Sequence, residues 1–187
     1  MMTDAFLAAA TSSATCLWDT PPKLVATMAP IFPWNLDVCA SGPNVCQRFY
    51  SPGDDGLKQP WRGLCWMNPP YGREIPRWVA RASMASGLAT TVSLLPARTD
   101  AAWWQDTVPY ASQVVFIRGR LVFGSEAYWT WRWEQPTING RPNSLYKQYG
   151  KKQSATFPSA FVVWGDGLNL VQREFLNGYG WNPRFVG

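Results

Sequence analysis

Residues 64–72 read Leu64-Cys65-Trp66-Met67-Asn68-Pro69-Pro70-Tyr71-Gly72, an apolar run that meets two successive prolines without a break. A short apolar run bounded by breakers reads as a buried strand. Proline cannot donate to a sheet ladder and biases the residue before it toward extended backbone, so the strand ends at Asn68 and the chain leaves in a rigid turn. Such a turn can aim the Asn68 side-chain oxygen and the Pro69 carbonyl at one spot. An exocyclic amine placed there donates one hydrogen to each. The lone pair of a ring-conjugated amine is delocalised, and two acceptors draw the nitrogen toward tetrahedral geometry, localising the pair for attack on a sulfonium methyl. Tyr71 adds an aromatic face for a planar substrate, worth ~1–3 kcal/mol. This chemistry needs no strong general base, and the chain has no histidine.

Outward from this turn, strands and helices alternate. Pro21-Pro22 opens a short helix with Leu24, Val25 and Met28 on one side, and Pro30 ends it. Asn35 to Cys39 reads as a buried strand followed by a Ser41-Gly42-Pro43-Asn44 turn, and residues 51–60 read as loop. A helix is expected from Ile75 to Ser86, with Gly87 as its stop. Thr90 to Leu95 is the next strand. Thr99-Asp100 caps a short helix through Trp103-Trp104. Val114 to Ile117, Leu121 to Phe123 and Ala160 to Trp164 read as further strands, and a helix from Leu168 to Leu176 follows. Residues 1–17 read as a loose arm. The alternation implies an α/β sheet with helices on both faces, and ligands bind such sheets beyond the carboxyl ends of the strands. The loops after Val38, Met67 and Leu95 share that edge.

Bulk properties bound the answer. With 187 residues, 47% of them hydrophobic, the chain suits a single domain over 1–187. It carries 17 Lys and Arg against 12 Asp and Glu, a net charge of +5 that favours polyanionic partners. The four cysteines (Cys16, Cys39, Cys46, Cys65) have no CxxC spacing and no histidine companions, which excludes the usual zinc sites and histidine-dependent triads. Free thiols in a reducing compartment are expected. The Phe6–Ala10 stretch lacks a basic start, and no apolar run reaches a membrane span, so a cytoplasmic protein is expected.

Asp19-Thr20-Pro21-Pro22, then Leu36-Asp37-Val38-Cys39-Ala40, then Asp54-Asp55-Gly56-Leu57, then the Asn68–Gly72 turn, resemble in type and order the amino-methyltransferases of DNA. They are most similar to the phage-type DNA N6-adenine methyltransferases, the phage Dam-like family. Leu94-Leu95-Pro96-Ala97-Arg98, Arg118–Phe123 and Phe157-Pro158-Ser159-Ala160 extend the resemblance, which covers about residues 16–165. It implies a Rossmann-like class I methyltransferase sheet and S-adenosylmethionine-dependent transfer to adenine N6 in double-stranded DNA, with no obligate protein partner. The catalytic set is then Asn68, Pro69, Pro70 and Tyr71. Trp18, Thr20 and Pro21 would hold the methionine end of the cofactor, Asp37 its ammonium or ribose hydroxyls, and Asp55 with Leu57 its adenine. The pattern departs in one place. Only 17 residues separate Asp37 from Asp55, too few for a full strand–helix–strand unit. Either Ser41-Gly42-Pro43 is a reduced glycine loop, or Asp37 is the ribose acid and the first strand unit is lost.

Residues 124–156 form a basic, aromatic insertion expected to contact DNA. Across 118–156 lie Arg118, Arg120, Arg132, Arg141, Lys147, Lys151 and Lys152, against Glu126 and Glu134 alone. Basic side chains neutralise phosphates, and the interleaved aromatics can fill the gap left by an extruded base. Arg98 is a further DNA candidate. The alternative for Tyr128–Trp133 is an amphipathic strand with one packed face. Protein-glutamine N5-methylation is the nearest rival activity, because the same turn suits an amide nitrogen. N4-cytosine transfer more often has Ser at the Asn68 position, and C5 transfer needs a cysteine after proline, which is absent. A non-catalytic DNA-binding protein on the same fold is the other rival.

Overall fold

The structure, a computed structural model, describes residues 19–124, 126–138 and 140–183. The expected arm at 1–17 and Trp18 lie outside them. Among the described residues five α-helices and eight strands form in chain order: α1 Pro22–Met28, β1 Leu36–Asp37, β2 Gly63–Met67, α2 Ile75–Met84, β3 Ala89–Pro96 and α3 Ala102–Thr107, which runs into a 3-10 turn at Val108–Tyr110. Then come β4 Gln113–Ile117, α4 Glu126–Glu134, β5 Thr137–Ile138, β6 Arg141–Pro142, β7 Ser159–Trp164, α5 Leu170–Asn177 and β8 Gly180–Trp181.

The main sheet has the order β1-β2-β3-β7-β4-β8, and β5 and β6 form a separate two-stranded ribbon. β1, β2 and β3 run parallel, β7 is antiparallel to both β3 and β4, and β8 is antiparallel to β4. The carboxyl ends of β1, β2, β3 and β4 therefore share one edge, as the order of apolar runs implies. β3 and β7 are buried at every position, as a sheet covered on both sides demands. Phe161 of β7 packs on Trp66 and on Tyr179 behind α5, whereas Phe116 of β4 stacks on Trp104 of α3. Phe161 is paired in register with Val115, so Phe116 points to the opposite face and helices cover both. The segment just after α1 joins α5 through Phe32 against Phe175 and Gln172 Nε2 donating to the Ile31 carbonyl, 3.2 Å.

Several sequence expectations change. β1 is two residues long instead of five, because Val38 and Cys39 already turn into the loop. Leu121–Phe123 is not a strand: the segment is irregular, and Phe123 is buried against Tyr71 and Phe157. Thr99 and Asp100 do not cap α3; the cap position is Ala101, with no side-chain bond. Tyr128–Trp133 lies in helix α4, not in a strand. Trp129 and Trp133, four residues apart, fall on one helical side and form with Leu145 a small core separate from the main one. Beyond β1, Arg48–Tyr50 runs alongside it in parallel: Asp37 N–H donates to the Arg48 carbonyl, and Tyr50 N–H donates to the Asp37 carbonyl, both 2.9 Å. This outer segment, reached without an intervening helix, is how the chain spans 17 residues between Asp37 and Asp55.

Among the described residues no helix is long and apolar enough to cross a membrane, and no group of His, Cys, Asp or Glu could hold a metal ion. Cys39, Cys46 and Cys65 are free, and burial pushes each thiol up. Cys16 lies outside the described residues.

Candidate active site

The turn after β2 sits at the sheet edge where β1, β2 and β3 end. Asn68 leaves the strand with its amide Nδ2 donating to Thr20 Oγ1, 3.3 Å, and Trp66 Nε1 donates to the same oxygen, 3.0 Å. Gly72 has φ of 146°, a conformation other residues rarely adopt, and lets the chain swing from the turn toward α2. Tyr71 is only 7% exposed. Its hydroxyl donates to the Leu94 carbonyl of β3, 3.1 Å, and its ring meets the edges of Phe123 and Phe157 at centroid distances of 5.9 and 5.5 Å. The Tyr71 ring is thus fixed by a hydrogen bond and two aromatic neighbours before any substrate arrives.

A cavity of about 340 Å³ opens beside the turn. Thr20, Asp37, Asp55 and Leu57, marked by the sequence as cofactor residues, all line it together with Asn68, Pro69 and Pro70. The sequence reading missed Asp19, Tyr50 and Trp78 in the same wall. Pro21 is buried at the start of α1, where its carbonyl accepts from Val25 N–H, and does not line the cavity. Gly56 is held to glycine by close packing: a Cβ there would stand 2.1 Å from the Val38 carbonyl oxygen and 3.2 Å from the Trp78 ring. This contact brings the 54–57 loop onto the end of β1, and Trp61 locks it by donating from its indole to the Gly56 carbonyl, 2.8 Å.

The electrostatics of the cavity are acidic. Asp37 is 3% exposed, and its Oδ1 accepts from Cys39 N–H, 3.2 Å. Burial, aided by the nearby Asp19 carboxylate, pushes the Asp37 carboxyl up to about 7 against the opposing pull of that hydrogen bond. Burial also raises Asp19, opposed by Ser41 Oγ donating to its Oδ1, 3.3 Å. Among the described residues, the ion pairs involve neither acid. Asp55 differs: it pairs with Lys58 at 2.8 Å, which holds its carboxyl below the ordinary value. One side of the cavity therefore presents carboxylates that lack a cation among the described residues, while Tyr50, Leu57 and Trp78 give it an apolar wall.

Tyr71 faces a second cavity, of about 410 Å³, with Arg73, Arg98, Trp103 and Phe157. Phe157 was read in the sequence only as part of a motif; its contact with Tyr71, 86 positions away in the chain, has no local signal. Arg98 is exposed there, and Arg118 and Arg120 are exposed on the loop after β4. Within residues 124–156, Arg132 donates to Tyr128 and to Gln153, both at 3.3 Å, and Lys152 pairs with Glu126. Lys151 donates to Gln148, 2.9 Å, and Lys147 lies over the Tyr146 ring at 5.3 Å. The small core of Trp129, Trp133 and Leu145 is also hydrogen-bonded: Trp129 donates to the Phe123 carbonyl and Trp133 to that of Lys151, at 3.0 and 2.6 Å.

The DNA N-6-adenine-methyltransferase (Dam) family matches residues 8–158. A DNA N-6-adenine-methyltransferase of Haemophilus phage HP1 is 35% identical over 153 residues, covering 78% of this chain and 86% of the relative. Another with that name, from Escherichia phage T1, is 32% identical over 110 residues, covering 56% of this chain and 46% of its own length. The family match spans the Thr20 segment, the β1 loop, the Asn68–Tyr71 turn and all of the basic segment 124–156, and on that extent the chain belongs to the DNA N-6-adenine-methyltransferase family.

Proposed function

We propose that this chain transfers a methyl group from S-adenosylmethionine to N6 of adenine in double-stranded DNA, as a single domain, with the Asn68–Tyr71 turn as its catalytic centre. The observation that carries the reading is that the Asn68-Pro69-Pro70 turn borders a cavity with two desolvated carboxylates and an apolar wall. S-adenosylmethionine, when bound, supplies an electrophilic methyl on a positively charged sulfur. Its ammonium and sulfonium charges fit the Asp37 and Asp19 carboxylates, and its planar base fits the wall of Tyr50, Leu57 and Trp78, with Asp55 at the rim. Thr20 closes the end nearest the turn. The Asn68 oxygen and the Pro69 carbonyl accept the two hydrogens of the target amine, and Tyr71 and Phe157 offer aromatic surface to the extruded base.

The strand order supports a Rossmann-like class I sheet in reduced form. In a doubly wound sheet of order 3-2-1-4-5, β1, β2 and β3 correspond to strands 1, 4 and 5, and the Arg48–Tyr50 segment stands where strand 2 would run. Asp37 then ends the first strand, and Ser41-Gly42-Pro43 is the reduced glycine loop. DNA enters over the carboxyl edge. Arg98 lines the target-base cavity, Arg118 and Arg120 stand exposed on the loop after β4, and these with Arg132, Lys147, Lys151 and Lys152 of the 124–156 insertion contact phosphates.

The test is Asn68→Ala, assayed by calorimetric titration with S-adenosylmethionine and by single-turnover methyl transfer to duplex DNA. Transfer is expected to vanish while cofactor affinity changes little. Equal loss of both would show that the turn belongs to the cofactor site, and full activity would show that it takes no part.

A further inference from the structure

A primary amide is a catalytic group with two unlike ends, and nothing in the backbone of Asn68 chooses between them. The terminal torsion of asparagine is broad and nearly two-fold, so its oxygen and NH2 exchange places at little intrinsic cost. Turned one way, Asn68 offers the target amine an acceptor. Turned the other, it sets a donor against a donor and stops the reaction.

We propose that Thr20 is the positioning residue that fixes this choice, by holding the NH2 end of Asn68 and so turning its oxygen toward the target amine. The inference rests on Asn68 as the group that accepts from that amine. Thr20 Oγ1 receives the Asn68 Nδ2 at 3.3 Å and the Trp66 Nε1 at 3.0 Å, and Thr20 is 3% exposed, so water competes little for either bond. An indole N–H only donates. The Trp66 contact occupies one lone pair of the hydroxyl, and the other accepts from Asn68 Nδ2.

The anchor is rigid. Trp66 lies two residues before Asn68 on β2, fully buried, with its ring against Trp34 and Phe161 at 5.4 and 6.4 Å. Thr20 is held from the other side, because it precedes Pro21, the N-cap of α1. A residue before proline is confined to extended backbone, which restricts where the Thr20 hydroxyl can go. Thus Thr20, 48 positions from Asn68, lines the cofactor cavity and contributes its hydroxyl to the target amine through Asn68.

The experiment compares Thr20→Val, which keeps the shape and loses the acceptor, with Thr20→Ser, which keeps the hydroxyl. Single-turnover transfer at saturating S-adenosylmethionine and duplex DNA should fall about 10- to 100-fold in the Val variant, the range for a misplaced catalytic group. The Ser variant should recover most of that rate, and the dissociation constant for S-adenosylmethionine should stay near that of the parent in both. The same substitution is then made over Asn68→Asp. A carboxylate has two equivalent oxygens and no wrong orientation, so Thr20→Val should cost much less there, a non-additivity expected only for coupled groups. A Thr20→Val protein as fast as the parent would overturn the proposal. So would an equal fold-loss over the parent and over a working Asn68→Asp background, or a loss that appears only as weaker cofactor binding. If Asn68→Asp is inactive, the split between rate and affinity decides alone. If thermal melting shows that Thr20→Val is unfolded, Thr20→Cys carries the comparison, since sulfur is a weak acceptor. An active Asn68→Ala protein would instead defeat the reading of Asn68 itself, which is a separate outcome.

Discussion

Replacing Asp37 with asparagine should make the protein more stable and a poorer enzyme, and both effects should depend on pH. The carboxyl moves from its ordinary 3.8 to about 7 because burial penalises its charged form. Each pKa unit corresponds to about 1.36 kcal/mol, so keeping Asp37 ionised in the cavity costs on the order of 4 kcal/mol. The sign follows from proton binding. Between pH 3.8 and 7 the folded protein holds a proton at Asp37 that the unfolded chain releases, so this group's favourable contribution is complete below about 3.8 and is lost as pH rises to 7. An asparagine side chain stays neutral throughout, and its oxygen can still accept from Cys39 N–H. The Asp37→Asn variant and the parent should therefore have the same stability near pH 4. Their difference should grow by up to about 1.4 kcal/mol per pH unit and level off above pH 7, with the variant the more stable by as much as ~4 kcal/mol. Urea unfolding across pH 4–8.5 measures this directly. S-adenosylmethionine binding runs the other way: a cationic ligand favours the ionised carboxyl, so affinity for the parent should rise from pH 5 to 7, while Asp37→Asn weakens it at least about tenfold. Equal stabilities at pH 8, or a cofactor affinity independent of both pH and the substitution, would refute the desolvated carboxylate and its role.

Tyr71→Phe should lower stability by about 0.5–1.5 kcal/mol through the lost bond to Leu94 and reduce activity mildly, whereas Tyr71→Ala removes the ring, costs about 3–5 kcal/mol and nearly abolishes transfer. A Phe variant as inactive as Ala in a folded protein would remove stacking from the account. Neutralising Lys151 and Lys152 together should weaken binding to all duplexes alike and flatten the salt dependence by up to about 0.9 log units per lost phosphate contact, leaving the pattern of modified sites unchanged. Because Lys152 already pairs with Glu126, the change should be closer to one contact than two, and an unaltered salt slope would move DNA binding elsewhere. Trp131→Ala should slow base extrusion more than binding, with partial rescue on DNA mismatched at the target adenine; absence of rescue would make Trp131 structural.

The parts of this molecule legible from sequence are those whose signal is local. β2 and β7 are apolar runs closed within two residues by proline or glycine, β3 mixes apolar with Thr and Ser positions and ends at Pro96, and the Asn68–Tyr71 turn carries its chemistry in four adjacent residues. What escaped depends on contacts distant in the chain. Arg48–Tyr50 is recognisable only by its pairing with Asp37, and β8 is two residues long, below any periodicity. The alternating aromatics of Tyr128–Trp133 fit a period of two, yet Trp129 and Trp133 also satisfy a helical spacing, and burying both against Leu145 decided for helix. Leu121–Phe123 is apolar because Phe123 packs on Tyr71, not because it pairs in a sheet. At the site, Asp37, Leu57 and Asn68 were found and brought together around one cavity, but the Thr20–Asn68 bond and the Tyr71–Phe157 contact needed the fold.

The most direct test is nucleoside analysis of duplex DNA incubated with the purified protein and S-adenosylmethionine, by enzymatic digestion and mass spectrometry. N6-methyladenine should accumulate with the parent protein and be absent with Asn68→Ala. N4-methylcytosine in its place, or methyl transfer only to glutamine side chains of an added protein, would contradict the assignment of Asn68-Pro69-Pro70-Tyr71 to the adenine amine.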